Sequence, residues 1–283
     1  MSVFLRLLAI VMIALLTITL QWEQQSVPIQ SEISRIPIFP DEDAHPQLIH
    51  IPKGRFTVGS VRTLRRELQS KDRHRPKKVR IDHGFYMMST ELTTRLATRL
   101  KPNGAFMSAQ CVGNCPAVNF SWREAIEMAN LLSEETGFLP CYEIVGDDVF
   151  WPNGVECRGY RLPLEEEWEY AAKSGTDEFL YAGGNDLDSV GWYRQNSRFG
   201  PNEIAAKKPN TLGLYDMSGN VWEWCWDGWD KVDQKWKTRK VIRGGGWNGD
   251  SFVAKIEHRA NKLVYQRSAS IGVRFVRTYH PDD

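Results

Sequence analysis

The sequence predicts an α+β domain, loop-rich, with few short strands and two clear helices. Three observations predict it. Only two segments, 121–137 and 164–173, join helical apolar spacing to recognisable start and stop signals. The strand-like stretches are short and broken by glycine. Beyond residue 176, Gly, Asn, Asp and Trp alternate without a helical or strand period, and eleven tryptophans offer large semi-rigid plates against which loops can pack. The 283 residues are 42% apolar, enough for a real core, and no repeat of solenoid length is present.

The elements follow in order. Residues 49–59 (IHIPKGRFTVG) read as a strand, a Lys-Gly turn and a second strand-like stretch. Residues 79–88 read as a strand interrupted by Gly84, and 90–96 as the start of a short helix. In 121–137, Ser121 caps and Glu124 completes a capping box. Ala125, Met128, Ala129, Leu131 and Leu132 form the apolar face, and Gly137 ends the helix. In 164–173, Pro163 stands at the start, acidic residues fill the first turn, and Lys173 and Gly175 close it. Trp168, Ala171 and Ala172 face inward. Arg161 and the acidic residues 165–169 could form a charged network around this helix, against the favoured reading that they only cap and solvate it. Short strands at 240–242 and 272–277 end the chain.

Residues 1–20 read as a signal peptide or N-terminal membrane anchor: Arg6 precedes an apolar run over 7–20, and no small-residue cleavage pattern stands before Gln21. Residues 21–46 are polar and proline-containing, a linker to a domain at 47–283. Export to an extracytoplasmic, oxidising compartment (periplasm, cell envelope or medium) turns the five cysteines toward disulfides. Cys141 and Cys157 flank a turn-rich loop, Cys111 and Cys115 enclose Val-Gly-Asn, and Cys225 is left over. Zinc is disfavoured because no histidine lies between residues 84 and 257. The net charge of +1 implies no strong pull toward nucleic acid or anionic membrane, so no nucleic-acid partner is expected, and the basic run 62–80 is broken by Glu67 and Asp72 as in a solvated loop. Any membrane contact is expected through the N-terminal segment alone.

Four strings stand in order: PAVNFSWREAIEMANLL at 116–132, GYRLPLEEEWEYAAKSG at 159–175, GLYDMSGNVWEWCWD at 213–227, and RGGGWN at 243–248 followed by SIGVRF at 270–275. Together with the opening IPKGRFTVGS and YMMSTELTTR, they closely resemble the catalytic domain of formylglycine-generating enzymes, the sulfatase-modifying factors. The resemblance runs from about residue 48 to 277 and implies that family's complex C-type-lectin-like fold. Read from their own chemistry, Trp222 and Trp224 alternate with Val221 and Glu223, so one parity is expected in the core and the other toward a polar site. Gly244, Gly245 and Gly246 permit close backbone approach or positive φ. Met217 is expected in the core.

The resemblance also implies a structural Ca²⁺ site at Asp216, Gly219, Val221 and Glu223, two carboxylates with carbonyls between them, an oxygen set suited to a hard cation. It implies copper(I) bound by two thiolates in the segment after the glycine string, but residues 247–277 hold no cysteine, so no copper is expected. His258, Glu257 and Asp250 are the remaining catalytic candidates there, one imidazole and two carboxylates. The expected function is therefore a ligand- or protein-binding module of the cell envelope, taking a peptide, a glycan or an envelope protein, with Trp226, Trp229 and Trp236 as contacts. The alternative is a divergent oxidoreductase modifying a peptide-derived natural product, as implied by exported relatives linked to siderophore maturation. A formylglycine-generating oxidase stands last.

Overall fold

The chain has strands β1 (Leu48–Ile51), β2 (Gly54–Val58), β3 (Lys77–Ile81) and β4 (Phe85–Met88), then helices α1 (Thr94–Leu100) and α2 (Trp122–Glu135). The hairpin β5 (Glu143–Val145) and β6 (Asp148–Phe150), a single 3₁₀ turn, and helices α3 (Glu165–Lys173) and α4 (Leu187–Val190) follow. Strands β7 (Trp222–Gly228), β8 (Arg239–Arg243), β9 (Arg259–Leu263), β10 (Ile271–Gly272) and β11 (Val276–Thr278) complete it. The structure is a computed structural model and describes residues 46–59, 76–108, 111, 114–229 and 238–281. The expected N-terminal segment 1–20, the linker up to residue 45, the basic stretch 62–75 and Trp236 lie outside the described residues. The described elements all lie in the unit Asp43–Asp283, and none of its helices is long and apolar enough to cross a membrane.

The α+β reading holds, with small sheets rather than one large one. β1-β4-β11 form a three-stranded antiparallel sheet, and β10-β7-β8-β9 a four-stranded one in which only β10–β7 is parallel. β2 pairs β3, and β5 pairs β6. The expected strand 79–88 is two strands belonging to different sheets, broken over 82–84, and the expected strand 272–277 is likewise split between β10 and β11.

α2 forms where its caps predict. Ser121 accepts from the Glu124 N–H at 3.2 Å while the Glu124 carboxylate accepts from the Ser121 N–H at 2.9 Å. Its apolar face joins Phe120, Trp224 and Phe275 in one core cluster. α3 places Trp168, Ala171 and Ala172 in a second cluster with Phe85, Met87, Met217 and Val241. β7 lies between these clusters with a partner on each side, so Val221, Glu223 and Trp224 are all fully buried and Trp222 is half-buried. The expected split holds in a buried form: Trp222 and Trp224 pack with the first cluster, while Glu223 turns to a polar centre at Arg274. In the glycine string, Gly244 (φ +92°) and Gly245 (φ +81°) are left-handed. A Cβ on Gly245 would lie 2.8 Å from Ala254 Cα, so this crossing needs both the conformation and the missing side chain.

Both expected disulfides are present, Cys111–Cys115 and Cys141–Cys157, and Cys225 is free and buried. The second pins the β5–β6 hairpin across a separation of 16 residues. Cys141→Ala/Cys157→Ala is expected to lower unfolding free energy by about 3 kcal/mol in the chain-entropy model. A urea titration measures it. An unchanged midpoint would show that the closed loop retains its order without the bridge.

Candidate functional site

The charged string around α3 is a buried ion-pair network. Arg161 is fully buried and grips Glu167 through both terminal nitrogens, at 2.7 and 2.8 Å. Glu167 also accepts from the Leu164 N–H at 2.8 Å and meets His83 Nε2 at 2.6 Å. Burial pushes the Glu167 carboxyl up, but the Arg161 charge and these hydrogen bonds outweigh it and bring it down to about 2. Arg243 pairs with Glu165 at 3.1 Å and Glu169 at 2.7 Å, and Arg259 adds a second bond pair to Glu165. The expectation that 165–169 merely caps and solvates its helix is corrected. Glu165, Glu167 and Glu169 are buried and only Glu166 is exposed, because their cationic partners arrive from β8, β9 and the approach to the helix.

A second buried centre surrounds Arg274. Its Nε and Nη2 donate to Glu223 Oε1 at 3.0 and 2.8 Å, Nε also reaches Oε2 at 3.1 Å, and Trp168 Nε1 donates to Oε2 at 2.7 Å. Its remaining donors go to the Met88 carbonyl at 2.9 Å and the Tyr215 carbonyl at 2.7 Å. Sequence reasoning missed Arg274 and Glu91 as members of this centre. Glu91 is fully buried, and neither of its carboxylate oxygens has a hydrogen-bond partner. Asp216, left-handed at φ +58°, accepts from the Ala205 N–H through Oδ2 at 2.7 Å, while its buried Oδ1 has no partner. Burial pushes the Asp216 carboxyl up to about 6 against the pull of the Ala205 N–H, and raises Glu91 well above its ordinary value, with Asp216 adding to that.

Of the expected calcium ligands, Gly219 and Val221 lie on the loop entering β7, and Gly219 donates its N–H to the Gly244 carbonyl. The unpartnered oxygen of Asp216 fits a hard cation. The Glu223 carboxylate is instead already balanced by Arg274 and Trp168. Among the described residues no three His, Cys, Asp or Glu side chains are arranged to share one ion, so any cation here needs carbonyl oxygens as well.

Directly after the glycine string, residues 247–257 are a succession of turns. His258 lies between Trp222 and Phe252, ring centroids 5.9 and 5.1 Å away. Burial, with Arg243 nearby, lowers its pKa to about 4, so the imidazole is neutral at pH 7. Glu257 and Asp250 act on it in the opposite sense, placing the three candidates in one neighbourhood. Asp250 uses Oδ1 to hold its own turn, accepting from the Phe252 and Val253 N–H groups at 3.0 and 3.4 Å. Cys225 is fully buried in β7, and burial pushes its thiol up.

The family model of the sulfatase-modifying factor enzyme 1-like domain matches residues 36–279. The chain belongs to this family. The sulfatase-modifying factor domain here is 31% identical over 195 residues to "Chaperone protein LppX" of Paenibacillus barcinonensis, covering 58% of this chain and 70% of that one. It is 36% identical over 115 residues to "Inactive C-alpha-formylglycine-generating enzyme 2" of Bos taurus, covering 36% of this chain and 37% of the relative. Among solved structures it is similar to Treponema denticola variable protein 1, with a TM-score of 0.69, 27% identity, and coverage of 82% and 95%.

In this sulfatase-modifying factor domain Trp226 and Trp229, two of the three tryptophans expected as contacts, are otherwise engaged. Trp226 stacks on Tyr142 at 5.1 Å and, with Trp122, lies against the Lys240 ammonium at 4.8 and 4.1 Å, while Trp229 covers the Arg259 guanidinium at 4.3 Å. These positions are corrected from surface contacts to packing, since each ring shields a cation that the β8–β9 pair brings beneath it. Exposed apolar side chains lie elsewhere: Leu139, Val145 and Phe150 around the β5–β6 hairpin, and Met107 (66%), Phe199 (88%) and Tyr265 (67%) on loops, are among them. Those loops are cross-tied. Asn119 bonds the Met107 and Ser268 carbonyls, Trp247 bonds the Ala269 and Asn220 carbonyls, and Asn220 Oδ1 accepts from the Asn202 N–H.

Proposed function

We propose that this domain is an extracytoplasmic binding module that does not make formylglycine, and that its ligand is an extended polypeptide. The observation that carries the reading is the state of sulfur. Four of the five cysteines are closed in disulfides, the fifth is buried with a raised thiol pKa, and residues 247–277 carry none. Soft-metal chemistry needs two accessible thiolates, and this chain has no pair to supply. Some of its relatives are named a chaperone and an inactive enzyme, which agrees with binding, while others are named formylglycine-generating enzymes, so the names alone do not carry the reading. The cross-tied loops carrying Met107, Phe199 and Tyr265 offer apolar contacts on a rigid base, as a peptide-binding surface requires. The two disulfides and the apolar run at 7–20 support a place outside the cytoplasm, with any membrane contact made by that run. The structural ion of such a module is Ca²⁺ at the 216–223 string, a reading supported by the buried unpartnered Oδ1 of Asp216.

The test has two arms. Incubated with copper(I), oxygen and a sulfatase-type cysteine peptide, the purified protein is expected to form no aldehyde by mass spectrometry; stoichiometric aldehyde overturns the reading. In fluorescence anisotropy it is expected to bind a permanently unfolded polypeptide, reduced and carboxymethylated α-lactalbumin. Phe199→Ser/Tyr265→Ser should weaken that binding by about tenfold, the loss of two apolar anchors. Equal binding by the variant would show that the loop face is not the contact.

A further inference from the structure

We propose that copies of this domain associate head to tail, the outward face of the β5–β6 hairpin of one copy docking on the outward face of the β2–β3 hairpin of another. The inference is independent of the polypeptide reading above. Each hairpin has two faces, in the period of two that a strand imposes. In β5–β6, Ile144 and Val149 pack down on the first core cluster, so Glu143, Val145, Asp148 and Phe150 turn outward, and all four are exposed. Glu143 stands opposite Phe150 and Val145 opposite Asp148, so each apolar side chain has a carboxylate beside it. Residues 138–157 hold four acidic side chains, all exposed, and no Lys, Arg or His to balance them. The Cys141–Cys157 bridge pins the hairpin that presents them.

The second face has the opposite sign. In β2–β3, Val58, Val79 and Ile81 belong to the second core cluster and Phe56 packs against it, while Arg55, Lys78 and Arg80 are exposed. Arg55 stands directly opposite Arg80, and like charges so placed repel. Asp82 pairs with Arg80, but neither strand holds an acidic residue of its own. The β5–β6 face supplies what this one lacks. Its carboxylates give Arg55 and Lys78 counter-charges, their carbon stems cover Val145, and an arginine plane lies over the Phe150 ring. The two faces sit on different hairpins, so the contact is heterologous and one copy can engage two others. Two short hairpins bury little area, which makes the contact weak, steered by charge and sensitive to salt.

The experiment is sedimentation velocity of the whole chain at rising concentration, in a neutral detergent that shields the apolar run 7–20. In about 20 mM salt the wild type is expected to sediment faster as concentration rises, and about 500 mM salt should return it to single copies. Arg55→Glu/Lys78→Glu and Glu143→Lys/Asp148→Lys should each self-associate at least about tenfold more weakly. An equimolar mixture of the two should associate again, because each variant keeps the face that the other has lost. Circular dichroism checks the fold, and the single changes Arg55→Glu and Asp148→Lys replace a double variant that fails to fold. A wild type that stays single at every concentration overturns the proposal. So does a mixture that does not associate, and so does association that both variants retain, which would place the contact elsewhere.

Discussion

Arg274→Met is expected to leave the chain without its native fold under conditions where the wild type is stable. The change removes the guanidinium that holds Glu223, the Met88 carbonyl and the Tyr215 carbonyl, all in the interior. It also leaves Glu91, Asp216 and Glu223 with no buried cation from the protein. Removing one partner of a buried pair costs about 3–5 kcal/mol, a large share of the ~5–15 kcal/mol that holds a typical domain. Arg274→Lys retains the charge but not the planar fork, and should fall between wild type and Met. Near-UV circular dichroism and urea titration measure the series. A loss of under about 1 kcal/mol for Arg274→Met would mean that the three carboxylates are neutralised by another route.

Arg161→Met should be nearly as costly, and its cost should depend on pH. The pair Arg161–Glu167 has no exposed side-chain surface, so the lost partner again leaves a buried charge, about 3–5 kcal/mol. Glu167 has a folded pKa of about 2 against an ordinary value of 4.5 for the unfolded chain. A carboxyl depressed by folding contributes stability that is fully present above the unfolded value and is lost as pH falls through the folded one. The contribution is therefore present above pH 4.5 and disappears between 4.5 and about 2, an amount of roughly 3 kcal/mol. The stability gap between wild type and Glu167→Gln should close over that window, and in the Arg161→Met background it should be much smaller throughout. Arg161→Met/Glu167→Leu should recover part of the loss, but not all of it, because Glu167 also serves the Leu164 N–H and His83. A gap between wild type and Glu167→Gln that stays constant from pH 5 to 2 would remove the ion pair as the cause.

Much of the fold was legible in local signals. The Ser121–Glu124 capping box acts within four residues and needs nothing distant, so α2 begins where the spacing says. The Cys141–Cys157 and Cys111–Cys115 pairs were readable because short spacings around turn-rich loops bring thiols together. The site was less legible. Glu165 and Glu167 follow the acidic-first-turn pattern of any exposed helix, and only Arg243 and Arg161 show them to be interior. Trp226 and Trp229 looked like contacts until Lys240 and Arg259 were found beneath them.

By itself, the sequence determined the family, the two long helices, the disulfides and the lack of a thiol pair after the glycine string. Tertiary structure alone decided that Glu223 belongs to Arg274, 51 residues away, and that Glu91 and Asp216 are left without partners. The physical reason is range. Caps, turns and close cysteine pairs are satisfied by neighbours in the chain, whereas a buried charge is balanced by whatever the fold carries to it, and its partner has no fixed spacing to read.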